Sequence, residues 1–212
     1  MSQVRPRHSR SVRALRLRAV LAAGLVLGVG AAVTLASWTD QEFSTGSFSS
    51  SVFDTQSSVN GAAYADNSVS PGPTFALTGP FAPGVSSYFP VLIRTKVNSV
   101  AGTVVLNGAT LGGTDAATLG AALVYRVVLT TSTCSAAAFS ASPVFVVGAA
   151  GTTRALTAGQ EAGVNTLLAA ATSTTPGAAT GYCFEVTLPA TAPSSLQGKT
   201  ATATWQFAAT SS

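Results

Sequence analysis

From Val85 onward the chain alternates. In "VSSYFPVLIRTKV", Phe89, Val91, Ile93, Thr95 and Val97 fall at every second position, while Tyr88, Pro90, Leu92, Arg94 and Lys96 form a second register that ends polar. Period two marks a strand with one buried face, because successive side chains leave a pleated strand on opposite sides. Pro90 has no N–H, so the strand begins after it or lies at a sheet edge there. The cluster Asn98–Gly102 reads as a turn. "TVVLNGATL", Thr103 to Leu111, is the next strand, with Asn107-Gly108 marking a turn or bulge. "LVYRVVLTT" from Leu123, "PVFVVGA" and "YCFEVTLP" follow as further strands. In "KTATATWQFAAT", Thr200, Thr202, Thr204 and Gln206 alternate with Ala201, Ala203, Trp205 and Phe207, which predicts a strand with Trp205 and Phe207 toward the core. Leu156–Ser173 mixes helix and loop residues and is expected to be a loop with a strand or short helix. Many short strands without βα alternation imply an all-β antiparallel sandwich.

A different pattern precedes this. Ala19 to Ala36 contains no charged residue over eighteen positions. That length borders both a signal h-region and a minimal membrane span. Gly24, Gly28 and Gly30 weaken the helix, no basic stop-transfer residue follows, and Thr34 and Ala36 form an A-x-A-like pattern. These features favour a signal peptide over residues 1–36, cut between Ala36 and Ser37. A retained anchor is the alternative. Gly24 and Gly28 also match the membrane helix-pairing spacing, which arises easily by chance in a Gly/Ala-rich leader.

Charge supports export. Six of the eleven basic residues (Arg5, Arg7, Arg10, Arg13, Arg16 and Arg18) lie before the apolar run, with no acid among them. Past Ser37, five basic residues stand against seven acidic ones. The high pI therefore belongs to the leader, and no nucleic-acid partner follows from it. The membrane is engaged only through the uncleaved leader, and signal peptidase is a partner during export.

Cys134 and Cys183 are an even pair in an exported chain, and a disulfide is the default reading, with two buried free thiols as the alternative. The only histidine is His8, in the leader. A body without imidazole has no Ser-His-Asp or Cys-His constellation and no His-based zinc site. "LGGTDAATLG" lacks the lysine of a phosphate loop. Paired carboxylates remain as glycosidase candidates, but Asp40, Glu42, Asp54, Asp66, Asp115, Glu161 and Glu185 are scattered singly. Glu185 is expected to face solvent from its strand, and "ADNS" around Asp66 is too thin for a calcium loop. The chain is read as a non-enzyme with no cofactor and no assigned metal site, a weak calcium site from loop acids being the alternative.

"TLASWTDQEFSTGSFS", Thr34 to Ser49, resembles the cleavage region of the TasA/camelysin family, secreted proteins processed by the SipW type of signal peptidase. The matching residues are Trp38, Asp40, Phe43, Gly46 and Phe48. "FAPGVSSYFPVLIRTKVNSVAGTVVL" is similar to the family's Pro-Gly, strand, turn, strand unit, and "LQGKTATATWQFAATS" to its terminal strand. The Ala/Thr-rich body with a cysteine pair looks like the actinobacterial branch. The resemblance implies a jelly-roll-like β-sandwich and, in the best-known members, assembly into biofilm-matrix fibres. The protease activity behind the camelysin name has no motif here.

The expected organisation is a signal peptide over 1–36, a mature N-terminal segment over 37–60, and a β-sandwich over 61–212. The middle segment is a candidate donor strand, with Trp38, Phe43 and Phe48 mediating self-association by addition to a neighbour's sheet edge. Folding onto its own domain is the alternative. The functional expectation is a secreted, non-enzymatic structural protein of the cell surface or extracellular matrix, self-associating as a homo-oligomer or fibre. A monomeric secreted binding module for a sugar or protein is the second reading.

Overall fold

The computed structural model describes residues 12–32, 41–47, 50–73, 81–130, 133–140 and 142–212. Its contacts divide the chain into two units, Met1–Phe48 and Ser49–Ser212. In the first, helix α1 spans Val12–Ala32. Residues 41–47 carry no regular structure and are exposed. Among the described residues no helix is long and apolar enough to cross a membrane.

The second unit is a two-layered, mostly antiparallel β structure. One sheet has the order β1 (Thr55–Val59), β2 (Ser86–Thr95), β9 (Thr180–Thr187), β5 (Val124–Leu129), β6 (Val144–Val147), with β7 (Arg154–Ala155) also on β5. The facing layer joins β11 (Phe207–Ser211), β3 (Gly102–Leu106) and β8 (Thr166–Leu168), and continues as the pair β10 (Thr202–Thr204) and β4 (Thr110–Gly112). Thr55–Val59, expected in the N-terminal segment, is thus a strand of the sandwich itself, in register with β2 from Thr55↔Thr95 to Val59↔Val91.

The alternation read from the sequence locates the core. Phe89, Val91, Ile93 and Thr95 are buried along β2, and Tyr182, Phe184 and Val186 along β9. Phe89 stacks on Phe184 at 4.7 Å between ring centroids. Trp205 arrives from the other layer, 5.3 Å from Phe184 and 5.7 Å from Tyr125. Phe207 meets Tyr182 at 4.9 Å. Trp205 and Phe207 therefore face the core as their parity predicts. Burying such a ring contributes roughly 1.5–3 kcal/mol from transfer alone.

Two expectations are refined. Strand β2 begins at Ser86, before Pro90. The proline is tolerated because β1 stops there: Asn60 N–H donates to the Pro90 carbonyl at 2.9 Å, and the missing Pro90 donor faces the end of β1. The edge alternative holds locally. Val97 leaves the core pattern, since it lies in a turn and is 41% exposed; Asn98 beside it takes a φ of 65°, a left-handed conformation that Asn tolerates.

The Asn107-Gly108 signal is a bulge. Residues 107–109 oppose only 205–206 between the β3–β11 and β4–β10 registers. One extra residue disrupts the ladder and twists the strand, so the single terminal strand read from the sequence is divided into β10 and β11. The ambiguous Leu156–Ser173 stretch supplies β8 at Thr166–Leu168.

Candidate functional site

The residues with polar or covalent chemistry gather on the outer side of the β2–β9–β5 sheet. Tyr182, Phe184 and Val186 point inward, so Cys183 and Glu185 point outward by the two-residue period. Register sets Pro90 and Val128 on either side of Cys183, and Tyr88 and Arg126 on either side of Glu185.

Cys183 is bonded to Cys134, with their α-carbons 5.1 Å apart. The bond draws the segment after β5 back over the sheet. A single 3-10 turn, Ala136–Phe139, follows. Phe139 then lies 6.0 Å from Tyr88 and 6.4 Å from Phe145, with the Arg126 guanidinium 5.1 Å from its ring centre.

Beneath this cover Glu185 is buried, only 7% exposed. It does point away from the core, but it does not face solvent, because the disulfide-held segment closes over it. Arg126 Nε donates to Glu185 Oε2 at 2.6 Å, and Arg126 Nη2 makes a second contact to the same oxygen. Tyr88 donates its hydroxyl to Oε1 at 3.0 Å. Burial, and then the neighbouring carboxylate, raise the Tyr88 phenol above its ordinary value. Both oxygens of this buried carboxylate thus have a partner, Arg126 on one and Tyr88 on the other.

The other sandwich carboxylates are also ion-paired. Lys96 bridges Asp54 at 2.7 Å and Asp66 at 2.9 Å. Lys199 pairs with Asp115 at 2.9 Å, and Arg154 with Glu161 at 2.7 Å. The Lys96 and Ser68 hydrogen bonds hold Asp66 down at about 2. The Thr200 N–H and then Lys199 lower Asp115, and Arg154 and the Gly148 N–H lower Glu161. Asp54 and Asp66 thus share an internal ammonium at the place where a cation would have to sit. Among the described residues no three His, Cys, Asp or Glu side chains converge.

Of the residues proposed for self-association and cleavage, Ala36, Ser37, Trp38 and Phe48 lie outside the described residues. Phe43 is described and is 89% exposed. Nothing local to Arg126, Glu185 or Tyr88 announces that they meet. Their shared parity on three separate strands was the available signal, and only the pairing register makes it readable.

No protein-family model and no curated protein matches this chain.

Proposed function

We propose that this chain is an exported, non-enzymatic structural subunit of the cell surface or extracellular matrix, similar to the TasA/camelysin proteins, and that it self-associates by strand addition. We read its sandwich as jelly-roll-like. The observation that carries the proposal is Phe43: an aromatic side chain 89% exposed, in a segment without regular structure that precedes the sandwich in the chain. Such a ring gains on the order of 1.5–3 kcal/mol by finding a pocket. A segment that pairs its backbone with a neighbour's sheet edge and seats alternate side chains is a general recognition mode.

Further features agree with this reading. A disulfide suits an oxidising compartment outside the cytosol. The sandwich carboxylates are held by cations rather than poised for proton transfer. The leader's positive charges and apolar run fit export. Cleavage after Ala36 would free the segment from the membrane and so act as the assembly switch.

The test compares chains beginning at Ser37 and at Ser49, both of which keep β1. Light scattering and electron microscopy should show fibres or higher oligomers for the first and nothing larger than a dimer for the second. Trp38→Ser with Phe43→Ser in the longer chain should likewise abolish fibres and higher oligomers. If the longer chain stays monomeric at high concentration, strand addition fails and the monomeric binding module takes its place.

A further inference from the structure

An antiparallel sheet must end somewhere, and each end offers unpaired N–H and C=O groups. Three of this sandwich's edge strands carry a cover. On β1, Ser57 exchanges two backbone bonds with Ala65, each 3.0 Å. On β6, the Val146 carbonyl accepts from Glu161 N–H at 2.9 Å. On β8, the Leu167 carbonyl accepts from the Thr180 hydroxyl at 2.8 Å.

Strand β11 is different. Asn107 N–H donates to the Gln206 carbonyl at 2.9 Å, and Ser212 N–H to the Ala101 carbonyl at 3.1 Å. These two bonds fix the parity of the β3–β11 register, so Ala208 and Thr210 turn their backbone groups toward β3. Phe207, Ala209 and Ser211 must then turn theirs away from it. Among the described residues nothing bonds to those outward groups. The strand pairs with β3 in an unbroken register, and it contains no proline and no charge. Two usual protections of a sheet edge, a proline and a charged side chain, are thus absent from this strand.

Charge decides which partner fits. When an edge meets its own copy about a two-fold axis, each side brings the same residues, so any lysine or glutamate would be doubled across the junction. None of β3, β4, β8, β10 and β11 contains an ionisable side chain. The three outward-facing positions are also self-complementary. With Ala209 on a two-fold axis, Phe207 stands opposite Ser211 of the second copy, and each such pair exchanges two hydrogen bonds. On the outer face Ala208 stands opposite Thr210 of the second copy, two small side chains that do not obstruct the approach. Val105 beside Ala208 is 46% exposed and Leu167 on β8 is 64% exposed, so the joined sheets would present a continuous, uncharged outer face.

We propose that β11 is a homotypic docking edge: two copies of this chain pair antiparallel through Phe207–Ser211 about a two-fold axis at Ala209, joining their β11–β3–β8 sheets into one. This contact does not use the N-terminal segment. It goes beyond the strand-addition reading and stands or falls separately from it. An edge-to-edge contact buries little area, so the pairing is weak and reversible.

The test uses the full chain in mild detergent. Cys134 and Cys183 are bonded to each other, so an introduced cysteine is the reactive thiol. Ala208→Cys chains are mixed with Thr210→Cys chains under mild oxidation. In the proposed register these positions form a non-hydrogen-bonded pair with α-carbons about 4.5 Å apart, within disulfide reach. The mixture should cross-link at least tenfold more than either variant alone or than the exposed control Ser140→Cys. Thr210→Lys should lower dimerisation in sedimentation at least tenfold, and Phe43→Ser should leave it unchanged. Cross-linking that ignores register would overturn the proposal. So would dimerisation indifferent to Thr210→Lys, or efficient cross-linking of Phe43→Cys to Ala208→Cys, which would make the N-terminal segment the occupant of this edge. Loss of fibre formation in Phe43→Ser with the 208–210 cross-link retained would separate the two contacts. A retained fibre with no cross-link would sink the docking edge alone.

Discussion

Glu185 on β9 stands directly opposite Arg126 on β5, on the side of the sheet away from the core, and Arg126 Nε reaches Glu185 Oε2 at 2.6 Å. A buried ion pair is costly to desolvate, and the gain from its mutual attraction returns that cost only when the geometry is good. Here Tyr88 satisfies the second carboxylate oxygen.

Removing Arg126 leaves Glu185 buried without a counter-charge, held only by Tyr88 among the described residues. Arg126→Met should therefore destabilise the sandwich by about 3–5 kcal/mol, read as a lower midpoint in guanidinium at an unchanged slope. Arg126→Met with Glu185→Leu should recover most of that loss, because no unpaired charge remains. If the double variant is as unstable as the single one, the cluster is held by shape rather than by charge balance.

The Cys134–Cys183 bond closes a loop with a sequence separation of 49. By loop-closure entropy it is worth about 4 kcal/mol. Cys183 is fully buried, so the native protein should resist a thiol reductant and yield to it once denaturant is added. Reduction should lower stability by about that amount and loosen the cover over Arg126 and Glu185. Mass spectrometry should show the oxidised chain two hydrogen atoms lighter than the reduced one. Two thiols that alkylate freely in the folded, oxidised protein would refute the bond.

How much of this was legible in the sequence depends on range. Period two along β2 and in the Ala201–Phe207 run identified the inward residues, because a half-buried strand records its core side in its own side chains. The bulge was readable as Asn-Gly. Strand β1 was not: "TQSSV" has one fully buried residue, Ser58, and it is a strand because β2 offers it an edge. The outward cluster was hidden for a similar reason. The sequence places Glu185 away from the core, but what covers it is a short segment with a single 3-10 turn, held there by a bond between residues far apart in the chain. The unprotected character of β11 also depends on which strands surround it.

Gly108 sits in the bulge where the chain presses against the loop after Leu156. Ala109 N–H donates to the Leu156 carbonyl at 2.8 Å, and a β-carbon on Gly108 would collide with the backbone carbonyl of Thr157. Backbone cannot swing aside as a side chain can. Gly108→Ala should cost about 1–3 kcal/mol by overpacking. Gly151→Ala is the comparison, since open space surrounds that position but its φ of 70° strains any other residue; it should cost about 1 kcal/mol. A Gly108→Ala midpoint equal to wild type would mean the bulge relaxes freely.

The titrating groups set stability at both ends of the pH scale, with opposite signs of shift. Asp66 is lowered to about 2, and Asp115 and Glu161 are lowered as well. Below their native values both folded and unfolded chains are protonated, so their stabilisation is complete above the ordinary carboxylate range and is lost as pH falls from about 4 toward 2. Lys96→Met should flatten this acid limb by returning Asp66 toward its ordinary value. At the alkaline end, burial pushes Tyr125 and Tyr182 up to about 12. The unfolded chain releases those protons near pH 10 and the folded one does not, so stability should fall as pH rises from about 10 to 12. Absorbance of phenolate near 295 nm offers the check. In the native protein two of the four tyrosines should ionise only near pH 12 or on unfolding, while in denaturant all four should titrate together near pH 10. Native ionisation of all four in one step near pH 10 would mean that Tyr125 and Tyr182 are reached by water, which the close-packed interior around Phe184 and Trp205 does not allow.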